Sequence, residues 1–155
     1  RRALLGRFSA HRKAVNRLLP TEDGLLFTAS ADATVRLWRV GGEGPSALGA
    51  AQPQPELTLE GHRMSVQSLA LVGRGARLFT GSRDCTVRLW DVATGAELQQ
   101  NKILRNVVTA VRHVPGQPSL VVQASEDLQL RLWDTREKLS PAAAVPGGPN
   151  QLICL

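Results

Sequence analysis

The chain has 155 residues, of which 43% are apolar and 21% charged, and its formal net charge is +6. That balance suits a folded domain with its own core and excludes a disordered polyelectrolyte. No apolar run approaches the roughly eighteen residues that a membrane-spanning helix needs. The two cysteines, Cys85 and Cys154, make neither a disulfide framework nor a metal set, which points to a reducing, intracellular setting. The arginines are scattered along the chain rather than run together, so the positive charge does not by itself describe a phosphate-binding stripe.

In chain order the predicted elements are short and all β. ALLGRF at 3–8 reads as a lone strand. AVNRLLP at 14–20, LLFTAS at 25–30 and TVRLW at 34–38 follow, the last two joined by a turn in which serine and aspartate satisfy backbone groups locally. GGEGPSALGAAQPQP at 41–55 has no periodicity and the Gly/Pro/Ala composition of a flexible surface insertion. The pattern then returns as SVQSLALV at 65–72, RLFTGS at 77–82 and TVRLW at 86–90, with GAELQQNKI at 95–103 as a weaker fourth strand. A third round runs VVTAVRHV at 107–114, LVVQAS at 120–125 and LQLRLW at 128–133, with KLSPAAAV at 138–145 in the fourth place. NQLICL at 150–155 is a last lone strand.

Three copies of one text underlie this order. Ser30, Asp32 and Trp38 align with Ser82, Asp84 and Trp90, and again with Ser125, Asp127 and Trp133, at identical internal spacing. The tryptophans stand 52 and then 43 residues apart, and the insertion at 41–55 accounts for the longer interval. Self-similarity at this period marks a repeat architecture, and four short strands per unit make one blade of a β-propeller.

Gly61-His62, Gly81-Ser82-x-Asp84 and Trp90-Asp91 carry a resemblance to the WD40-repeat family. The first unit departs from that pattern in having Ala10 before His11 and Arg39 after Trp38. The third has Trp133-Asp134 but Leu104-Arg105-Asn106 where a histidine is expected. The resemblance implies an all-β fold, about three blades forming an arc of a larger ring, with seven blades the expected total. Its units are a strand of a preceding blade at 1–8, repeat 1 at 9–56, repeat 2 at 57–103, repeat 3 at 104–145 and the first strand of a following blade at 146–155.

The resemblance also implies a hydrogen-bonded set inside each blade: the indole donates to the serine hydroxyl, the serine bonds the histidine, and the aspartate holds the histidine. The members are Trp38, Ser30, His11 and Asp32 in the first unit and Trp90, Ser82, His62 and Asp84 in the second. Trp133, Ser125 and Asp127 remain in the third, where Asp127 must turn to water, a backbone N–H or Arg105, making that blade the least rigid. Ser82, His62 and Asp84 also invite a hydrolase triad. The chain lacks a G-x-S-x-G elbow, however, and the set recurs with a tryptophan at fixed offset, as a structural brace does. Arg36, Arg88 and Arg131 share a strand face with the tryptophans, and the structural expectation is a stem packed between blades with its head in solvent or on a carboxylate.

No catalytic residue, metal or cofactor is expected. In the resembled family, partners dock on the rim formed by the loops entering each blade and the turns beside them. By position these are Arg12 and Lys13, Arg63 and Met64, and Arg105 and Asn106, with Ala31, Arg83 and Glu126 before each turn aspartate. The expectation is a non-catalytic scaffold for other proteins, its basic rim suited to acidic or phosphorylated peptides; solvated loop charge is the plain alternative. Nucleic-acid binding is the second reading, weakened by an aromatic content of 4% without a tyrosine. The expected localisation is cytoplasmic, with the cilium and the nucleus as alternatives.

Overall fold

The computed structural model describes residues 8–40, 54–103 and 106–136 and the backbone of 141–146. Expectations for 1–7, most of the 41–55 insertion, Leu104, Arg105 and 150–155 with Cys154 lie outside the described residues. Twelve strands are described, and they form three four-stranded antiparallel meanders. The first sheet contains β1 (Val15–Pro20), β2 (Leu25–Ser30), β3 (Val35–Arg39) and β4 (Leu57–Leu59). The second contains β5 (Val66–Val72), β6 (Arg77–Ser82), β7 (Thr86–Asp91) and β8 (Glu97–Lys102). The third contains β9 (Val108–His113), β10 (Leu120–Ser125), β11 (Gln129–Asp134) and β12 (Pro141–Pro146).

One boundary differs from the sequence units. Leu57–Leu59 falls inside repeat 2 as written above, yet Leu57 and Leu59 pair with Leu37 and Val35 and close the first sheet. The insertion separates this short strand from the rest of its blade, and its three residues have too little pattern to announce their partner.

Packing on both faces explains why β5, β6 and β7 of the middle sheet are buried almost throughout. Leu78 and Trp90 face the first sheet and join Phe27, Val35, Leu37, Leu59, Val66 and Leu69 in one buried layer. Phe79, Val87 and Leu89 face the other way, against Val108, Val111, Val121 and Trp133. A sheet covered on both faces has no solvent side to reserve for polar residues. Each fully buried Leu, Val or Phe contributes about 1.5–3 kcal/mol relative to exposure. Trp38 occupies the opposite face of the first sheet, where Phe8 meets it edge-on with ring centroids 5.2 Å apart.

Side chains also stitch neighbouring sheets. Asn16 Nδ2 donates to Ser65 Oγ at 2.7 Å and to Val66 O at 2.8 Å, joining the first sheet to the second. The Ser68 hydroxyl accepts from Val111 N at 2.9 Å, joining the second to the third. At the other end of that seam Arg77 Nη1 donates to Thr135 O at 2.9 Å.

Each turn between the second and third strands of a blade carries one left-handed residue: Ala33 at φ 70°, Cys85 at φ 64° and Leu128 at φ 61°. None is glycine, so each turn bears a conformational cost of about 1–2 kcal/mol. Ala33 has a single methyl to lose. Ala33→Gly is therefore expected to raise stability by up to about 1 kcal/mol after its own backbone entropy is subtracted, read as a higher urea midpoint.

Candidate functional site

Within the second sheet a hydrogen-bond chain runs from the buried indole to the turn. Trp90 Nε1 donates to Thr80 Oγ1 at 3.0 Å, and Thr80 Oγ1 lies 2.7 Å from His62 Nε2. His62 Nδ1 lies 2.9 Å from Asp84 Oδ2. A proton on Nδ1 lets the threonine hydroxyl donate to Nε2 while its oxygen accepts the indole, which uses every member. Asp84 further accepts from Arg63 N at 2.9 Å, Thr86 N at 2.9 Å and Thr86 Oγ1 at 2.6 Å. The first sheet repeats the geometry: Trp38 to Thr28 at 2.9 Å, Thr28 to His11 at 2.7 Å, and His11 to Asp32 at 2.9 Å.

The acceptor is thus threonine, which corrects the serine assignment for Ser30 and Ser82. Trp90 pairs opposite Leu78, so Ser82, four residues along β6, sits about 13 Å away at a strand rise of about 3.3 Å per residue, whereas Thr80 is within indole reach. Ser82 Oγ instead lies 3.1 Å from Met64 O and 3.0 Å from Ser65 O and accepts from Asp84 N at 3.1 Å. Ser30 does the same with Lys13 O, Ala14 O and Asp32 N. The sequence carried a partial signal, because Thr28 and Thr80 stand ten residues before their tryptophans, but Gln123 breaks the recurrence in the third unit whereas the serine persists in all three.

The third sheet replaces this chain with an amide. Trp133 Nε1 donates to Gln123 Oε1 at 2.8 Å, and Gln123 Nε2 donates to Ser125 Oγ. Asp127 accepts from Asn106 Nδ2 and from Gln129 N, each at 3.2 Å, and pairs with Arg131. Ser125 accordingly meets Gln123 and Arg131 rather than the indole. All three tryptophans are nonetheless buried to within 2% exposure.

These contacts also decide the triad question. His62 Nε2 engages Thr80, and the Ser82 hydroxyl is buried against backbone carbonyls, so the nucleophile and base do not meet. Arg88 is buried and paired with Glu97, and Arg131 is half-buried and paired with Asp127, so no exposed arginine ladder forms from these two. Among the described residues no three His, Cys, Asp or Glu side chains gather as metal ligands, and no helix is long and apolar enough to cross a membrane.

The pattern of the family described as WD domain, G-beta repeat matches residues 2–39 and 53–91. The chain belongs to the WD40-repeat family. It is similar to coronin-7 of Bos taurus, 32% identical over 129 residues that cover 83% of this chain and 14% of that protein. It is also similar to the histone acetyltransferase type B subunit 2 of Aspergillus fumigatus, 32% identical over 146 residues covering 86% and 33% of the two chains. A third relative is the ribosome biogenesis protein WDR12 homolog of Drosophila persimilis, 31% identical over 137 residues covering 81% and 31%. The chain therefore spans 33% or less of the length of these relatives. The three sheets are WD40 blades. The third sheet lies beyond the matched segments and carries Gln123 where the first two carry threonine.

In each WD40 blade the turn is tied to the segment that enters the first strand. Ala31 N donates to Ala14 O, Arg83 N to Ser65 O and Glu126 N to Val107 O. This backbone bond sets Ala31 beside Arg12 and Lys13, Arg83 beside Arg63 and Met64, and Glu126 beside Asn106. Arg12, Lys13, Arg63, Met64, Arg83 and Glu126 are exposed, while Ala31 and Asn106 are half-buried. Met64, 52% exposed, is the large apolar side chain among them.

Burial works against the charged form of Asp84, but donation from His62, Thr86 and Arg63 N outweighs it and holds the carboxyl well below its ordinary 3.8. Asp32 is held low in the same way by Thr34, Arg12 N and His11. A carboxyl depressed in the folded state stabilises fully above its unfolded pKa and loses that contribution as pH falls through the folded value. Urea midpoints are thus expected to drop between about pH 5 and about pH 2, and Asp84→Asn is expected to flatten part of that drop. Thr80→Val, which orphans the Trp90 N–H and His62 Nε2, is expected to cost about 2–4 kcal/mol by urea unfolding.

Proposed function

We propose that the chain is a non-catalytic WD40 scaffold that holds other proteins on the rim where each turn is tied to the entry of its blade. The observation that carries this reading is the exposed set Arg12, Lys13, Arg63, Met64 and Arg83, presented on backbone that the turn bonds hold rigid. Rigid, closely spaced arginines suit carboxylate or phosphate groups through bidentate contacts, and an exposed methionine adds an adaptable apolar contact. Acidic or phosphorylated peptides are the partners that such a rim favours. The relatives support an assembly role, since one is named as a subunit of an acetyltransferase and another for ribosome biogenesis. The same reading puts the scaffold in the cytoplasm, in keeping with its sparse cysteines.

Nucleic acid is the competing partner for a basic rim. Single strands are held by stacking on exposed aromatic rings, whereas the three tryptophans here are buried. Capture from cell extract by the wild type and by an Arg63→Glu/Arg83→Glu variant tests the proposal. Protein partners resistant to nuclease are expected with the wild type and lost with the variant, whose urea midpoint should stay within about 0.5 kcal/mol of wild type. Identical partners on both proteins, or capture abolished by nuclease and by raised salt, would overturn it.

A further inference from the structure

The hairpin between β5 and β6 carries Gly73-Arg74-Gly75 at its tip. All three residues are left-handed, with φ 60°, 58° and 89°. Glycine takes that conformation without steric cost. Arg74, the one residue of the three with a side chain, does not. The base of the turn is fixed: Gly73 N donates to Pro118 O at 2.8 Å, Gly75 N to Val72 O at 3.2 Å and Ala76 N to Gly73 O at 3.3 Å. Ala76 O in turn accepts from Val92 N at 3.0 Å. Since β5 and β6 run antiparallel from the rim to this hairpin, the tip lies at the end of the blade opposite Arg63 and Arg83.

Arg74 is exposed and makes no ion pair or side-chain hydrogen bond among the described residues. By contrast, Arg39, Arg88, Arg131 and Arg136 are paired with carboxylates, and Arg77 donates to Thr135 O. The exposed rim arginines stand between other side chains: Arg12 between His11 and Lys13, Arg63 between His62 and Met64, Arg83 between Ser82 and Asp84. Arg74 alone in the sequence has glycine on both sides. A Cβ added at Gly73 or Gly75 would meet nothing within 4 Å, so open space surrounds the stem of Arg74 on both flanks. The matching hairpins of the other blades, Thr21-Glu22-Asp23-Gly24 and Pro115-Gly116-Gln117-Pro118, contain no arginine.

These are the conditions that N-methylation of a guanidinium imposes. Methyl transfer is a displacement at carbon, in which an Nη must approach the methyl group of a sulfonium donor in line and at close range. The transferring enzyme has to enclose the whole arginine side chain, and a side chain on either neighbour would meet the mouth of its site first. A guanidinium already held by a carboxylate would have to be pulled away before it could enter.

We propose that Arg74 is a methylation site for an S-adenosylmethionine-dependent arginine methyltransferase. An Nη attacks the methyl carbon, the carbon–sulfur bond breaks with its electron pair staying on sulfur, and one Nη proton passes to a base of the enzyme. The products are Nη-methylarginine and S-adenosylhomocysteine. The positive charge is kept while a donor is lost, which blocks bidentate contacts to carboxylate or phosphate at this end of the blade. The rim takes no part, so the inference stands apart from the scaffold reading.

The test incubates the folded full chain with S-adenosylmethionine and an arginine methyltransferase already shown to be active on an unstructured Gly-Arg-Gly peptide. Tandem mass spectrometry then locates the product. Methyl groups are expected on Arg74 and not on Arg12, Arg63 or Arg83, and Arg74→Lys is expected to abolish them. Gly73→Ala, which adds a methyl group in open space, is expected to slow modification at least about fivefold. A urea unfolding curve checks that this variant is still folded. An unmodified Arg74 in the folded chain, equal modification of the rim arginines, an unchanged rate in Gly73→Ala, or product that forms only after unfolding in urea would overturn the proposal.

Discussion

The structure depends on one buried donor finding an acceptor. Each blade places an indole N–H where water does not reach, and each answers it with a side-chain oxygen ten residues earlier, on the neighbouring strand. An unanswered indole in that position would cost about 1–3 kcal/mol, so the acceptor is as much a part of the blade as the tryptophan. In the first two blades the acceptor passes the bond on through histidine to the turn aspartate. The aspartate in turn accepts from the backbone at Arg12 or Arg63, which ties the chain entering the blade to the turn that leaves its second strand. The interior polar chain and the surface rim are therefore one mechanical unit.

The third blade shows which parts of that unit are interchangeable. Gln123 presents an amide oxygen to Trp133 and uses its own N–H₂ on Ser125, so a single side chain does the work of a threonine. Asn106 and Arg131 replace the histidine in holding Asp127, and the backbone bond from Glu126 to Val107 survives. What has to persist is the satisfaction of the indole and the aspartate, and neutral amides or a guanidinium can provide it.

Function follows from that division of labour. Groups with catalytic potential, Ser82, His62 and Asp84, are fully engaged in bracing the blade and have no free valence for chemistry. The brace positions other side chains without consuming them, and Arg63 and Arg83 stay exposed at the rim. Arg88 stands between the two classes, paired through one nitrogen and unsatisfied through another. A guanidinium with several donors can be structural and still hold an unmet bond, which the shorter side chains of the brace cannot.

The sequence by itself determined the strand count per blade, the turn positions and the buried tryptophans, because period-two alternation and fixed S-x-D spacing are local patterns that survive in one dimension. Only Ala31, Arg83 and Glu126 are neighbours of the turns in the chain; Arg12, Lys13, Arg63 and Met64 come beside them through the backbone bond from each turn to the entry of its blade. Which oxygen answers the indole was decided by register: serine recurs in all three units and threonine in two, and the pairing of Trp90 with Leu78 puts Thr80, not Ser82, within reach. The partner of Leu57–Leu59 was likewise settled in space, across an insertion that erases the local signal.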